Sequence, residues 1–345
     1  MHIARGVAAA GGHAQMFASA RDVVMRAASE GVSATELPVA HTSLRAPALL
    51  RQALKQHGIE VLLVDKRRDL VHGALAVRGT GIALAMRFNF PRWDAPQDPL
   101  ARLAYRRVDV TIFLTESAVR FADDHVAYML RPPHVVIPEG IDVQRFKRNA
   151  DAGALFRQRL GLDDAPIVLG LAALEPEKRF HVLVEGVGGL ADPRPPVVLV
   201  GNGSERESLT TRAHGLKVDL RFCDYLTPED LPGAYSAATI FAHPSTMETF
   251  GLSVAEAMAA GCPVVVASAG SLPEVVGDAG IVVPSDDVGA FTAALARLLA
   301  NESERSALGM KATARVARHF TLEQMQRAHV EALTSARESR LDRTP

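Results

Sequence analysis

The stretch METFGLSVAEAMAAG places two carboxylates, Glu248 and Glu256, eight positions apart around a glycine turn. Ser253 and Glu256 have the spacing of a capping box, in which a serine hydroxyl and a glutamate carboxylate satisfy N–H groups where a helix begins. The same helix start has a second use. Its free N–H groups and positive dipole end suit a diphosphate. A carboxylate one turn further in cannot serve phosphates, because like charges repel, but it can accept hydrogen bonds from ribose hydroxyls. Glu248 precedes the turn and would meet a different part of such a ligand. Spacing alone leaves both readings of Glu256 open.

Other residues invite the same comparison. Lys178 follows the apolar run IVLGLAAL. It is either a solvated surface charge or a cation at the carboxyl end of a strand, where α/β sheets bind ligands. Gly201 and Gly203 in VGNGSE read as turn glycines and also as room for a base or ribose. His13 sits beside a glycine pair, where a loop histidine is ordinary and contact with an acceptor is the sharper alternative. Cys223 and Cys262, the two cysteines, have no metal-ligand spacing and read as small buried residues in a reducing, cytoplasmic setting. No HExxH and no Asp-x-Asp is present, so no metal ligand is assigned.

The elements that must position these residues follow from pattern. A chain of 345 residues suits two domains. Short apolar runs alternate with helical patterns, the signature of parallel α/β units. IEVLLVD, GIALAMRF, VDVTIFLT and HVVIP read as strands of a first domain, and the N-terminus reads as its first strand and loop. KRNADAGALFRQRLGLDDAP has the composition of a linker leading into a helix. The cycle restarts at Ile167 with IVLGLAAL, PPVVLVGNG, VDLRFCDY, TIFAHPS, PVVVAS and AGIVVPS. The expected division is 1–148, 149–320, and a helical tail 321–345 that packs back on the first domain. The fold class is two doubly wound α/β domains in series, with a ligand in the cleft they face.

No apolar run reaches the roughly 18 residues of a membrane span. Charge is uneven. Residues 1–148 carry 20 Lys+Arg against 14 Asp+Glu, a net of +6, and residues 149–345 carry 18 against 25, a net of −7. This is either uneven arginine usage on a solvated surface or a first domain that meets something anionic, such as a lipid surface or a phosphorylated acceptor. Nothing points to nucleic acid, since no basic stripe is interleaved with aromatics.

ETFGLSVAEAMAAGCPVV resembles the donor-site signature of family-4 retaining glycosyltransferases of the GT-B fold, with its Glu-x7-Glu pair. The resemblance extends to VVLVGNGSERESL, EDLPGAYSAATIFAHPS, GSLPEVVGDAGIVV and VIPEGIDVQRF, and AAAGGHAQ resembles the family's glycine-rich loop after strand one. It implies that Glu256 binds the nucleotide ribose and that Glu248 faces the donor sugar or its diphosphate side. It implies that the backbone of Phe250, Gly251 and Leu252 holds the diphosphate and that Lys178 neutralises the leaving phosphates. Gly11 and Gly12 match the loop that approaches the donor, Gly201 and Gly203 its glycine turn, and Asn89 lies where relatives place a polar group near the sugar. The family usually carries Gly-Arg where this chain has Ala172-Ala173, which makes Arg179 the substitute cation. It has Gly where Cys223 stands and Asn where Glu139 stands.

The resemblance further implies transfer of a sugar from a nucleotide-diphosphate sugar, with no cofactor and no metal, to a sugar or glycoconjugate acceptor. The leaving phosphate takes the acceptor's proton, and Glu248 positions rather than attacks. The basic first domain fits a lipid-linked acceptor and a peripheral contact at the inner membrane face. The alternatives are a sugar-nucleotide epimerase on the same fold and a non-catalytic nucleotide-sugar binding protein.

Overall fold

The computed structural model describes residues 1–37, 45–88 and 99–343. Asn89 lies outside the described residues. The chain forms two compact units, residues 141–321 and residues 1–140 with 322–345.

In the second unit the six strands are β7 (Val168–Leu171), β8 (Val197–Val200), β9 (Leu220–Cys223), β10 (Ile240–His243), β11 (Val264–Ala267) and β12 (Ile281–Val283), after β1 to β6 of the first. Their order is β12-β11-β10-β7-β8-β9, and every pairing is parallel. The central strands are runs of valine, leucine and isoleucine with no polar alternation. Both faces of the sheet are covered, so each position must be apolar. Helices Phe180–Gly188 and Val288–Ala300 cover one face through Phe180, Leu183, Val187, Phe291, Leu295 and Leu298, all buried. The edge strand β9 is only half-buried and accordingly admits Arg221.

The strand order reverses between β7 and β10. That is the switch point at which loops from two adjacent strands leave in opposite directions and open a crevice at the carboxyl ends.

The first unit holds β1 (Gln15–Ala18) paired parallel to β2 (Ser33–Glu36), and a separate parallel sheet β3-β4-β5-β6. Those four strands are Val61–Val64, Ala83–Phe88, Val110–Phe113 and His134–Val136. The long last helix, Leu322–Leu341, lies on this sheet: Leu333 and Ala336 pack on Ala83, Ala85 and Val110, and Met325 on Ile112 and Ile137.

Three local expectations need correction. The N-terminus is a helix, His2–Ala9, not a strand. Ile3 joins the Met325 cluster and Gly6 abuts Gln326, a helical spacing that a strand would break. The loop with Gly11 and Gly12 therefore follows a helix, which Gly11 ends at a φ of 81°. It leads into the amino end of β1 instead of leaving the carboxyl end of a first strand. The segment that reads as a linker is built into the second unit. Its helix Ala150–Arg159 packs on Leu231–Ala237, with Gly153 against Ser236 and Ala237. The units divide after Gly140, not after 148, because Phe146 meets Tyr235 edge-on and the Asn149 N–H donates to Ser236 Oγ.

Candidate functional site

Three strand ends build the site. After β7 the chain turns through a 3-10 segment, Pro176–Lys178, which carries the lysine. After β10 the loop through Glu248 is stitched to that turn: Ser245 Oγ and the Thr246 N–H both donate to Glu177 O, at 3.3 and 3.0 Å. After β11, the Ser271 N–H and hydroxyl both donate to Glu248 O at 3.1 Å. Gly270 makes this possible, because a Cβ there would run into the Glu248 backbone, and its φ of 53° suits glycine.

With its backbone held this way, Glu248 directs Oε1 at two donors. Lys178 Nζ stands at 2.6 Å and His243 Nε2 at 2.7 Å. A carboxylate only accepts, so Nε2 carries the hydrogen. Burial pushes the Glu248 carboxyl up, but the hydrogen bonds and charges of His243 and Lys178 outweigh it and hold the group at about 2. Glu248 is thus an ionised acceptor at neutral pH. Its other oxygen has no protein partner among the described residues.

Glu256 has the opposite character. The capping-box reading fails: helix Leu252–Ala259 begins at Gly251, which sits in the left-handed region, and no side chain caps it. Ser253 already lies inside the helix. The Glu256 carboxyl caps no helix N–H and accepts a hydrogen bond from Tyr235 at Oε2, at 2.7 Å. Burial raises it to about 7, against the smaller downward pulls of the Tyr235 hydrogen bond and Arg145. Two carboxyls on one short segment are thus driven to opposite ends of the carboxylate range.

The helix start itself remains available. Among the described residues, the N–H groups of Phe250, Gly251 and Leu252 donate to no protein acceptor. The Phe250 ring is buried against Phe320, so only its backbone is on offer.

Arg179 donates to Asp286 Oδ1 at 2.7 Å, in an exposed pair. Gly201 and Gly203 cross so close to the carbonyls of Ala172 and Leu174 that no side chain fits, which is a packing need at the end of β8. Cys262 is fully buried, and burial pushes its thiol up to about 12. Among the described residues no three His, Cys, Asp or Glu side chains come together as a metal site, and no helix is long and apolar enough to cross a membrane.

Sequence reasoning missed His243 and Tyr235. His243 left a faint signal, a histidine closing an apolar strand five positions before Glu248. Tyr235 left none, because one tyrosine in an apolar helix looks like core.

Residues 154–315 match the family model for glycosyl transferases group 1. The chain is 33% identical over 247 residues to a GDP-mannose-dependent alpha-(1-6)-phosphatidylinositol monomannoside mannosyltransferase of Mycolicibacterium smegmatis, covering 66% of this chain and 62% of that protein. It is 35% identical over 198 residues to a D-inositol 3-phosphate glycosyltransferase of Corynebacterium jeikeium, covering 53% and 47%. The chain thus spans less than two thirds of the length of these relatives. In structure it superposes on a sucrose-phosphate synthase from Thermosynechococcus elongatus with a TM-score of 0.82 at 20% identity, over 98% of this chain and 92% of that one. It superposes on Anabaena HepE in complex with UDP with a TM-score of 0.82 at 19% identity, over 93% and 92%. The fold is that of the GT-B glycosyltransferases, with two Rossmann-like units.

Proposed function

We propose that this chain, whose residues 154–315 belong to glycosyl transferases group 1, moves a sugar from a nucleotide-diphosphate sugar to a sugar or glycoconjugate acceptor, retaining the anomeric configuration. One observation carries the reading. Lys178 and the Glu248 loop meet at the switch point of the second sheet, directly before a helix start whose N–H groups have no protein acceptor among the described residues.

The chemical task is to let a diphosphate leave an anomeric carbon. Negative charge grows on the departing oxygen. Lys178 and the N–H groups of Phe250, Gly251 and Leu252 stabilise it, and one such donor is typically worth about 10²–10³ in rate. The bond from the anomeric carbon to the phosphate oxygen breaks as the bond from the acceptor oxygen forms on the same face. The acceptor's proton passes to the departing phosphate, leaving a glycoside and a nucleoside diphosphate. Glu248, clamped by Lys178 and His243, positions the sugar through its other oxygen and does not attack. Glu256 accepts the ribose hydroxyls. No cofactor or metal has a role in this scheme, so excess chelator is expected to leave the rate unchanged. The relatives' names are those of transferases, which disfavours the epimerase and the non-catalytic binding protein.

For the acceptor we propose a lipid-linked glycoconjugate, with the first unit touching an anionic membrane surface. The first unit, residues 1–140 with 322–345, carries 21 Lys+Arg against 17 Asp+Glu, a net of +4, which supports this, as do Leu100 and Leu103, each 61% exposed on the arginine-bearing helix Pro99–Tyr105. Co-sedimentation with vesicles of rising anionic content at low salt is the expected result, and none at any content removes this part.

A thermal-shift panel of UDP-, GDP-, ADP- and CDP-sugars tests the donor reading. A ligand at 100 times its dissociation constant stabilises by about 2.7 kcal/mol. One nucleotide series is expected to raise the melting temperature, and silence across the panel would contradict the reading.

A further inference from the structure

We propose that Tyr235 is a positioning residue for Glu256: its phenol holds carboxyl oxygen Oε2 and thereby directs Oε1, the oxygen without a protein partner among the described residues, at a nucleotide's ribose. The inference rests on the donor reading above and assigns a second, buried residue to it.

Tyr235 is fully buried, and its hydroxyl donates to Glu256 Oε2 at 2.7 Å. The ring is fixed between two buried phenylalanines in edge contact, Phe241 at 5.6 Å and Phe146 at 5.8 Å between centroids. Its helix, Leu231–Ala237, is locked in turn, with Gly233 against the backbone of Ala152. The phenol therefore has one place to be. A phenylalanine would fill the same space, so the hydroxyl is not needed for packing. Glu256 Oε1 has no protein partner among the described residues.

The arrangement also biases where a proton sits. With the phenol donating to Oε2, a proton on Glu256 is favoured on Oε1, and losing it makes Oε1 the stronger acceptor. The other groups that bear on the pair are Arg145, which lies over the Phe146 ring, and Cys262 with Arg148 beside it. Burial sets the carboxyl near 7 and the Tyr235 bond pulls it down. Without that bond the carboxyl must titrate higher, and less of it is ionised at neutral pH.

The test uses the full chain labelled with 13C-carboxyl glutamate, with Glu256→Gln identifying the Glu256 signal. In Tyr235→Phe the Glu256 midpoint is expected to move to higher pH. Binding of UDP-glucose or GDP-mannose, whichever the wild type takes, weakens about tenfold or more at neutral pH, as for other hydrogen bonds to charged groups. The pH profile of binding moves with the midpoint, and kcat at saturating donor changes little. Genetically encoded 3-fluorotyrosine at position 235, a stronger donor of the same shape, shifts the midpoint the other way and decides the matter if Tyr235→Phe does not fold. An unchanged midpoint in either variant overturns the proposal, as does unchanged donor affinity in Tyr235→Phe. If the wild type binds no nucleotide sugar, the donor reading fails and takes the ribose role with it, whereas an unshifted midpoint in a protein that does bind donor defeats the Tyr235 assignment alone.

Discussion

Lys178 and Glu248 are 70 positions apart in the chain and meet at 2.6 Å, nitrogen to oxygen. Neither is a free surface charge. The lysine comes from the turn after β7 and the glutamate from the loop after β10, and the sheet makes these strands neighbours. The contact sets the direction of a cation that can otherwise rotate through several rotamers, and it holds a carboxylate ionised.

Acid should attack this contact. Glu248 has its folded-state pKa depressed from 4.5 to about 2, so its stabilising contribution is complete above about 4.5 and is lost as pH falls toward about 2. Glu248→Gln is expected to flatten that limb of a plot of melting temperature against pH. An unaltered acid limb in the variant would show that the pair does not exist in solution.

Glu256 should act in the opposite sense. Its pKa is raised in the fold from 4.5 to about 7, so the folded state is favoured below about 4.5 and loses stability as pH rises through about 7. The loss is on the order of 3 kcal/mol. Glu256→Gln removes this slope and makes the protein more stable at pH 8 than the wild type, which urea titration at two pH values can measure. A variant no more stable at pH 8 would mean that the carboxyl is not buried as described.

His243 supplies the second donor to Glu248, and its ring lies between Phe241 and Phe180. His243→Phe keeps an aromatic there and removes the donor. The Glu248 midpoint should rise, and kcat should fall about tenfold, since a hydrogen bond to a charged group is worth roughly 1.5–3 kcal/mol. Steady-state kinetics with a fixed acceptor reads the second effect, and an unchanged kcat would reduce His243 to packing.

Gly270→Ala tests the backbone clamp. The added methyl meets the Glu248 backbone at a φ that disfavours alanine. A cost of about 1–3 kcal/mol is expected, with loss of activity greater than the loss of folded protein, because Glu248 moves. Circular dichroism and activity measured on the same sample separate the two.

Much of this was legible in the sequence. The strands of the second unit are long enough apolar runs, with turns clear enough between them, to be read one by one, and the two glutamates stand out because charge is rare in that stretch. The N-terminus was not legible. MHIARGVAA is short and rich in small residues, and only its contacts with the last helix, over 300 positions away, make it a helix. The capping box misled for a related reason. Ser253 and Glu256 have the right spacing, but Gly251 starts the helix two residues earlier, and local spacing cannot see Tyr235 waiting for the carboxyl. His243 and Tyr235 act across the fold, and their types read as core in any local window.

The central claim is that Lys178 meets the diphosphate of a nucleotide sugar. Calorimetric titration of UDP-glucose and of GDP-mannose into the wild type and into Lys178→Ala tests it directly. One of the two donors is expected to bind the wild type, and the variant should bind it at least about tenfold more weakly, the loss expected for a charge-assisted contact. Equal affinity in the two proteins, or no binding of either donor to the wild type, would contradict the claim.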